Sequence, residues 1–544
     1  MVAMNITDYN SRGIRLYCAV TVGVWVLLNC AGARSVVCVP GNSPKLSAEH
    51  QAELTIIVDI SQRYQRIQSF GASDAWSAQY VGLWPEATRT RIAELLFSTD
   101  MDSGNNPVGI GLSGWRFYLG AGSSRDTDPD TRIRDRWRRA DTFLDEAYDG
   151  YDWTRLPGQR WFLEQANAYG VQCLTLFTKS PPVNLTKNGL AYCDPDVGLS
   201  NLPAEHSGPF ATYLADVLEY FSDHLTIDFD YISPFNEPQW DWENRSQEGC
   251  RYSNAKMAHV IDDLYQELAD RNINTQILIS EAAEIGFLHG RRSHPSGNQI
   301  DAFFDPESSL YRADKLAPII TGHSYFTDTP RRGLVAERRA LKRKLDVYPR
   351  LAYAMTEYCI MGSDGSGVEL RGSGRDLGME AALRTARTIH HDLTLTDAVS
   401  WYWWLAVSPY NYKDGLVYID KRTDGGNYHP SKMLWGVGNY SRFIRPGMYR
   451  VQLRRSDKKG PEDTMESLMV SAYYDQENGR VVAVAVNPAG IDKTFALRLV
   501  ESGKSIIPIS MIPYITSAEH DLAAGTALRG QGVIIPSKSG ARLI

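Results

Sequence analysis

Two glutamates of this chain each close a short apolar run. Glu237 stands in Tyr231-Ile-Ser-Pro-Phe-Asn-Glu-Pro-Gln-Trp240, and Glu357 stands in Ala354-Met-Thr-Glu-Tyr-Cys359. Breaking an acetal between two sugars takes a proton for the leaving oxygen and a second carboxylate on the far side of the anomeric carbon. Two glutamates delivered to one place from the ends of different strands are suited to that reaction. Glu237 is read as the acid/base, which needs a raised pKa, and Glu357 as the nucleophile, which works as an anion that a donor such as Tyr325 would favour. Asn236 offers a donor to a sugar hydroxyl, while Trp240 and Trp242 offer flat faces for stacking. By itself the Asn-Glu-Pro triplet is also compatible with a plain turn after a strand.

The elements that must bring these acids together follow from the pattern of apolar runs. From about residue 65 to 440, short apolar runs alternate with longer stretches of helical period, as in βα units. Eight strands are predicted: 69–71, 109–112 running on to 115–117, 172–177, 231–233, 276–280, 319–320, 351–355 and 398–402. Helices are predicted over 208–224, 256–271 and 378–394. The fold class is thus α/β, a (β/α)8 barrel, in which catalytic groups sit at the C-terminal ends of strands. Glu237 and Glu357 then follow strands four and seven, across the barrel mouth. Beyond residue 440 the strands 466–474, 480–487, 494–499 and 532–535, separated by turn residues, predict an antiparallel β-sandwich side domain, joined by a strand at 52–60. The predicted organisation is an export segment over 1–33, a linker and N-terminal strand over 34–64, the barrel over 65–440 and the sandwich over 441–544.

Composition bounds the partners. A net charge of −7 and 22% charged residues give no electrostatic reason to bind nucleic acid or an anionic membrane, and a neutral partner fits better. The 13 Trp and 29 Tyr suit sugar stacking but also fill ordinary cores. The basic stretches 132–139 and 331–350 interleave Asp or Glu with their cations and read as solvated faces. Arg12 and Arg15 precede an apolar core at 16–28 of signal-peptide length, so the protein is expected to be secreted, periplasmic or at the cell surface. Ala31-Gly32-Ala33 fits ordinary signal peptidase, whereas Leu27-Leu28-Asn29-Cys30 resembles a lipobox and would place a lipid anchor on Cys30. No second apolar stretch long enough to span a bilayer follows. Of seven cysteines, Cys193 and Cys250 are the loop-borne candidates for a bridge. No metal-binding or cofactor fingerprint stands in the right context, so no metal or organic cofactor is expected.

Five ordered segments resemble glycoside hydrolase family 30, retaining barrel enzymes of the clan with glutamates after strands four and seven. They are Ile67-Gln-Ser-Phe-Gly-Ala-Ser-Asp-Ala-Trp76, Ser113-Gly-Trp-Arg-Phe-Tyr-Leu-Gly-Ala-Gly122, Asn236-Glu-Pro238, Thr356-Glu-Tyr358 and Tyr440-Ser-Arg-Phe-Ile-Arg-Pro-Gly447. The resemblance spans roughly residues 52–544 and implies an O-glycosyl hydrolase acting on a polysaccharide or oligosaccharide. The endo-β-1,6-galactanase-like branch is favoured, with β-1,6-glucanase or xylanase as alternatives and a non-catalytic carbohydrate-binding protein as the alternative of another class. It also implies that Arg116, Asn236, His323, Tyr325, Trp401 and Trp403 line the sugar site, with Trp76 and Trp240 as stacking residues. Arg116 is also readable as a barrel-floor ion-pair residue, His323 as a hydrogen-bonded core histidine, and Asp74 equally as a loop-shaping or a sugar-touching group. Because side chains alternate along a strand, only one face of Trp401-Tyr-Trp-Trp404 can reach substrate. The Gly/Ser-rich stretch 361–378 is read as a cleft rim or a plain loop.

Overall fold

In the computed structural model the protein is described over residues 54–537 except 148, 311–313, 330, 362–369, 507–510, 528–531 and 536, together with two short strands, Arg15–Thr21 and Val26–Asn29. Cys30, residues 31–33, the linker at 40–47 and residues 362–369 of the 361–378 stretch lie outside the described residues. The chain divides into two compact units, Ile67–Met101 with Pro107–Pro446, and Met1–Arg66 with Asp102–Asn106 and Gly447–Ile544. No helix among the described residues is long and apolar enough to cross a membrane.

The larger unit is a closed barrel of eight parallel strands: β1 Ser69–Ser73, β2 Gly114–Leu119, β3 Cys173–Thr178, β4 Tyr231–Ser233, β5 Gln276–Ala282, β6 Leu316–His323, β7 Ala352–Tyr358 and β8 Ser400–Ser408. Each pairs with the next, and β8 closes the ring by pairing with β7 and, through Ser400 opposite Ser69, with β1. Every residue of β1, β2, β3 and β8 is buried, as expected when side chains fill the barrel on one face and helices cover the other. Residues 109–112, expected to begin the second strand, are instead an approach loop. Gly111 has φ +56, outside the extended region, and a side chain on Gly109 would run into the Glu94 carbonyl.

The helices follow equally local rules. Asn254–Asp270 starts where Ser253 Oγ accepts the Lys256 N–H at 3.3 Å, and Ser207–Leu225 stops at Thr226, which takes a left-handed φ of +55. Asp392, on the helix Met379–Leu395, ties three elements together. Its carboxylate accepts from Arg338 Nε at 2.7 Å, Trp401 Nε1 at 2.9 Å and Ser324 Oγ at 3.0 Å, all buried. Arg338 therefore departs from the solvated role expected of 331–350. These bonds also fix the parity of β8. Trp401 and Trp403 face the helix layer, Trp403 giving its Nε1 proton to the Asp414 carbonyl at 2.7 Å. Tyr402 points into the barrel, where its hydroxyl meets Ser69 Oγ at 2.9 Å. The expected sugar contacts of Trp401 and Trp403 are thus corrected, since pleating places Trp404 on the inner face in their stead.

The smaller unit is built on one mixed sheet. Thr55–Arg66 runs antiparallel to Tyr449–Arg455 and parallel to Lys493–Glu501. Alternate residues of its strands (Ile56, Val58 and Ile60; Val470, Ala472 and Tyr474; Val481, Ala483 and Ala485; Phe495, Leu497 and Leu499) share one core, the period of two that marks a half-buried sheet. The Asp102–Asn106 segment belongs to this unit, with Asn106 Oδ1 accepting the Ala524 N–H at 2.9 Å, a long-range insertion with no local sequence signal.

Removing one partner of a buried ion pair strands the other charge at a cost of about 3–5 kcal/mol. Asp392→Ala is therefore expected to lower unfolding stability by about that much in urea titrations. A loss below about 1 kcal/mol would show that Asp392 does not clamp the barrel.

Candidate active site

Five barrel strands deliver ionisable groups to one point at the C-terminal mouth. Glu357 lies one residue before the end of β7, His323 ends β6, Glu281 lies one residue before the end of β5, Glu237 follows β4, and Arg116 projects from β2. Glu237 (φ +46), Ser280 (φ +98) and Glu281 (φ +44) all take positive φ, an arrangement worth about 1–3 kcal/mol of strain each for residues with a Cβ. The two kinks lock together, as the Glu237 N–H donates to the Glu281 carbonyl at 2.8 Å.

Glu281 is the hub. Its carboxylate accepts from Arg116 Nη2 at 3.1 Å, His323 Nε2 at 3.0 Å and Thr356 Oγ1 at 2.7 Å. Arg116 Nη1 then reaches Glu357 at 2.9 Å, and His323 Nδ1 reaches Glu237 at 3.0 Å. Tyr325 donates its hydroxyl to the other Glu357 oxygen at 3.0 Å. One ligand atom from each of Glu237, His323 and Glu357 lies within 4.8 Å of the others, so the two carboxylates face one another at close range. That trio is also the group among the described residues with the spacing of metal ligands, although both His323 ring nitrogens are already taken by carboxylates.

The electrostatics separate the acids. Burial pushes the Glu237 carboxyl above the ordinary range, against the His323 hydrogen bond and charge, with Glu357 adding to the rise. Burial also opposes ionisation of Glu281, but the Arg116 charge and the bonds from His323 and Thr356 outweigh it and bring its pKa down to about 2. For His323, burial is outweighed by Glu357, Glu237 and Glu281, and the imidazole is raised to about 9. At neutral pH the cluster therefore holds Arg116 and His323 as cations beside Glu281 as an anion, and Glu237 is the carboxyl disposed to keep a proton.

A cavity of about 400 Å³ opens above this cluster, lined by Asn236, Glu237, Tyr325 and Glu357 and walled by Trp76, Trp242, Trp404 and Tyr410. Cavities of about 500 and 630 Å³ open at the opposite ends of the strands, beside Tyr231 and Gln276 and beside Leu316 and Leu351, away from the carboxylate pair.

Of the residues singled out in the sequence, Glu237, Glu357, Asn236, Trp76 and Tyr325 line this cavity, and the buried Asn236 Oδ1 has no protein partner. His323 and Arg116 lie beneath it and act on the two acids, as the ion-pair reading of Arg116 allowed. Trp240 stands outside the lining, edge-on to Phe326 at 6.2 Å, so Trp242 rather than Trp240 forms the wall. Asp74 is corrected to the loop-shaping role, being buried with Oδ1 accepting the Tyr118 N–H at 2.7 Å. Cys193 and Cys250 are free thiols, as are Cys173 and Cys359. Cys250 hydrogen-bonds Cys193, the first cause that lowers the Cys193 thiol to about 7. Residues of the pocket that were not assigned to the site are Glu281, Lys179, Arg138 and Trp404. Glu281 obeys the rule that found Glu237 and Glu357, an acid closing an apolar strand, and Lys179 directly follows β3. Arg138 departs from the solvated face expected of 132–139.

A carboxylate pair set into the C-terminal mouth of a closed parallel barrel suits acid/base and nucleophilic chemistry on a glycosidic bond. The chain belongs to O-glycosyl hydrolase family 30, whose profile matches residues 53–418. It is 27% identical over 253 residues to an endo-β-1,6-galactanase of Hypocrea rufa, covering 43% of this chain and 50% of that protein, so the match spans about half the length of that relative. A conserved exported protein of Bacteroides fragilis superposes with a TM-score of 0.81 at 28% identity, over 89% of this chain and 98% of that one. The catalytic domain of a family 30 xylanase C from Talaromyces cellulolyticus shares the fold with a TM-score of 0.58 at 20% identity, over 88% and 98% of the two chains.

A group whose folded pKa is raised contributes stability below its unfolded pKa, and that contribution is lost as pH rises through the folded value. For His323 the window runs from about 6.5 to about 9. Lys179, lowered to about 7, acts in the opposite sense, so the informative quantity is the difference between wild type and His323→Asn. The stability advantage of wild type in thermal melts is expected to be largest below pH 6.5 and to shrink as pH rises through about 9. A difference independent of pH over that window would contradict the buried imidazolium.

Proposed function

We propose that the protein is an exported retaining endo-β-1,6-galactanase, with Glu357 as nucleophile and Glu237 as acid/base. The observation that carries the retaining reading is the approach of the two carboxylates to within 4.8 Å. Retaining enzymes hold such groups about 5–5.5 Å apart, whereas inverting ones leave about 6.5–9.5 Å for a water. Glu357, oriented by Arg116 and Tyr325, attacks the anomeric carbon while Glu237 gives its proton to the departing oxygen. The glycosyl-enzyme is then opened by a water whose proton returns to Glu237. Between the two steps Glu237 is an anion, and the His323 cation at 3.0 Å offsets that charge.

The β-1,6-galactan assignment is supported by the galactanase relative, and β-1,6-glucan and xylan are the competing substrates. Export is supported by the apolar core at 16–28 and by the description of the Bacteroides fragilis relative as exported; lipidation of Cys30 is the alternative to cleavage after residue 33.

Incubation with β-1,6-galactan, β-1,6-glucan and glucuronoxylan is expected to release oligosaccharides from the galactan, and product from xylan alone would remove that assignment. Glu357→Gln is expected to lose at least about a thousand-fold in kcat while still binding the glycan. Unchanged release would instead mean that Glu357 is not the nucleophile.

A further inference from the structure

Two loops at the barrel mouth run side by side, residues 179–206 after β3 and 234–253 after β4, and each carries a cysteine. The Gly249 N–H donates to the Ala191 carbonyl at 2.9 Å, the Cys193 N–H to the Trp242 carbonyl at 3.1 Å and the Arg251 N–H to Cys193 Sγ at 3.5 Å. That register sets the Cys193 thiol against its hydrogen-bond partner Cys250, and both side chains are buried. Arg251 closes over the pair, its Nη2 donating to the Asp194 carbonyl and to Glu243, each at 2.7 Å.

The two thiols are unlike. The bond from Cys250, helped by the N–H and the charge of Arg251, brings Cys193 down to about 7 against burial. Burial and the Cys193 neighbour push Cys250 up instead. One sulfur is thus disposed to attack a disulfide, the other to keep its proton until it resolves the adduct. Cys173, which begins β3, and Cys359, which follows β7, are both pushed up by burial.

What the pair stands beside is Trp242, a wall of the cavity. That residue takes a left-handed φ of +56, a strained conformation that persists only where its surroundings hold it. Its Nε1 donates to the Glu237 carbonyl at 3.1 Å, its own carbonyl accepts from Cys193, and its ring lies on Gly249, where an added Cβ would stand 2.3 Å away.

We propose that Cys193 and Cys250 are a modification site, at which the reduced pair seen here is oxidised to a disulfide that clamps the loop bearing Trp242. The Cys193 thiolate attacks one sulfur of an external disulfide, whose other sulfur leaves and takes up a proton. Cys250 then gives up its proton and attacks the Cys193 sulfur, expelling the second thiol. Two protein thiols lose two electrons and two protons, and one disulfide oxidant becomes two thiols. Because both sulfurs are buried, the exchange belongs to folding, before the loops close, and the finished bond is shielded from reductants. The bond encloses β4 with Glu237 and Trp242, and it restricts the unfolded chain between residues 193 and 250. In the cell the oxidant comes from an oxidising compartment, the one point that rests on the export reading.

The test supplies the oxidant itself, so its result does not depend on export. The full chain is made by cell-free translation buffered with oxidised glutathione or with a phosphine reductant, then unfolded, alkylated and digested. A linked Cys193–Cys250 peptide is expected from the oxidising synthesis alone, with Cys173 and Cys359 alkylated in both. The bridged protein is expected to melt about 3–8 °C above the reduced one. On whichever glycan is cleaved, KM for the reduced protein is expected to be about two- to ten-fold higher, with kcat within about two-fold. Cys193→Ser is expected to remove the difference between the two buffers. Alkylation of both Cys193 and Cys250 after oxidising synthesis, or their linkage to other cysteines, would overturn the site, a comparison that needs no variant to fold. A bridge that leaves the melting temperature and KM unchanged would overturn the clamp.

Discussion

Burying five ionisable groups at one end of a barrel is tolerable only if each charge finds its opposite, because an unpaired ion in such a place costs several kcal/mol. Glu281 meets that demand. It accepts from Arg116 and His323, and those two cations in turn reach Glu357 and Glu237. The carboxylate that is furthest from chemistry therefore sets the position of both that perform it. The strands β2, β4, β5, β6 and β7 have to end at a common level for this circuit to close, and the positive φ of Glu237, Ser280 and Glu281 is the backbone strain that accompanies it.

The same circuit divides the protons. Glu281 is surrounded by donors and stays ionised, whereas Glu237 is buried beside a single imidazolium and is pushed towards its protonated form. Two glutamates of identical chemistry are thus made unlike by what each strand brings beside them. The outer face of the barrel supports this arrangement through Asp392, which ties Arg338, Ser324 and Trp401 together behind β6 and β8.

Much of this was legible in the residues because it is local. Apolar runs at βα spacing marked the eight strands, and acids closing two of them marked Glu237 and Glu357. The rule reached further than it was taken, since Gln276-Ile-Leu-Ile-Ser-Glu281 satisfies it equally well. Other features depend on information that a run of residues does not contain. Whether Trp401 or Trp404 faces inward is a question of pleat parity, which the strand β8, buried on both faces and carrying aromatics at consecutive positions, leaves undefined and the Trp401–Asp392 bond decides. Arg138 sits in a basic stretch whose other members are solvated or bonded locally, and only a tertiary contact from Gln79 turns it into the pocket. The Asp102–Asn106 segment joins the smaller unit through pairing with residues far along the chain.

The central claim is that the carboxylates of Glu237 and Glu357 stand close enough for double displacement. The most direct measurement is proton NMR of the anomeric signals during the first minutes of hydrolysis of a β-linked oligosaccharide, before mutarotation mixes the products. The β-anomer appearing first is the result predicted by the 4.8 Å approach. First appearance of the α-anomer would mean that a water, not Glu357, attacks the sugar, and would contradict the account.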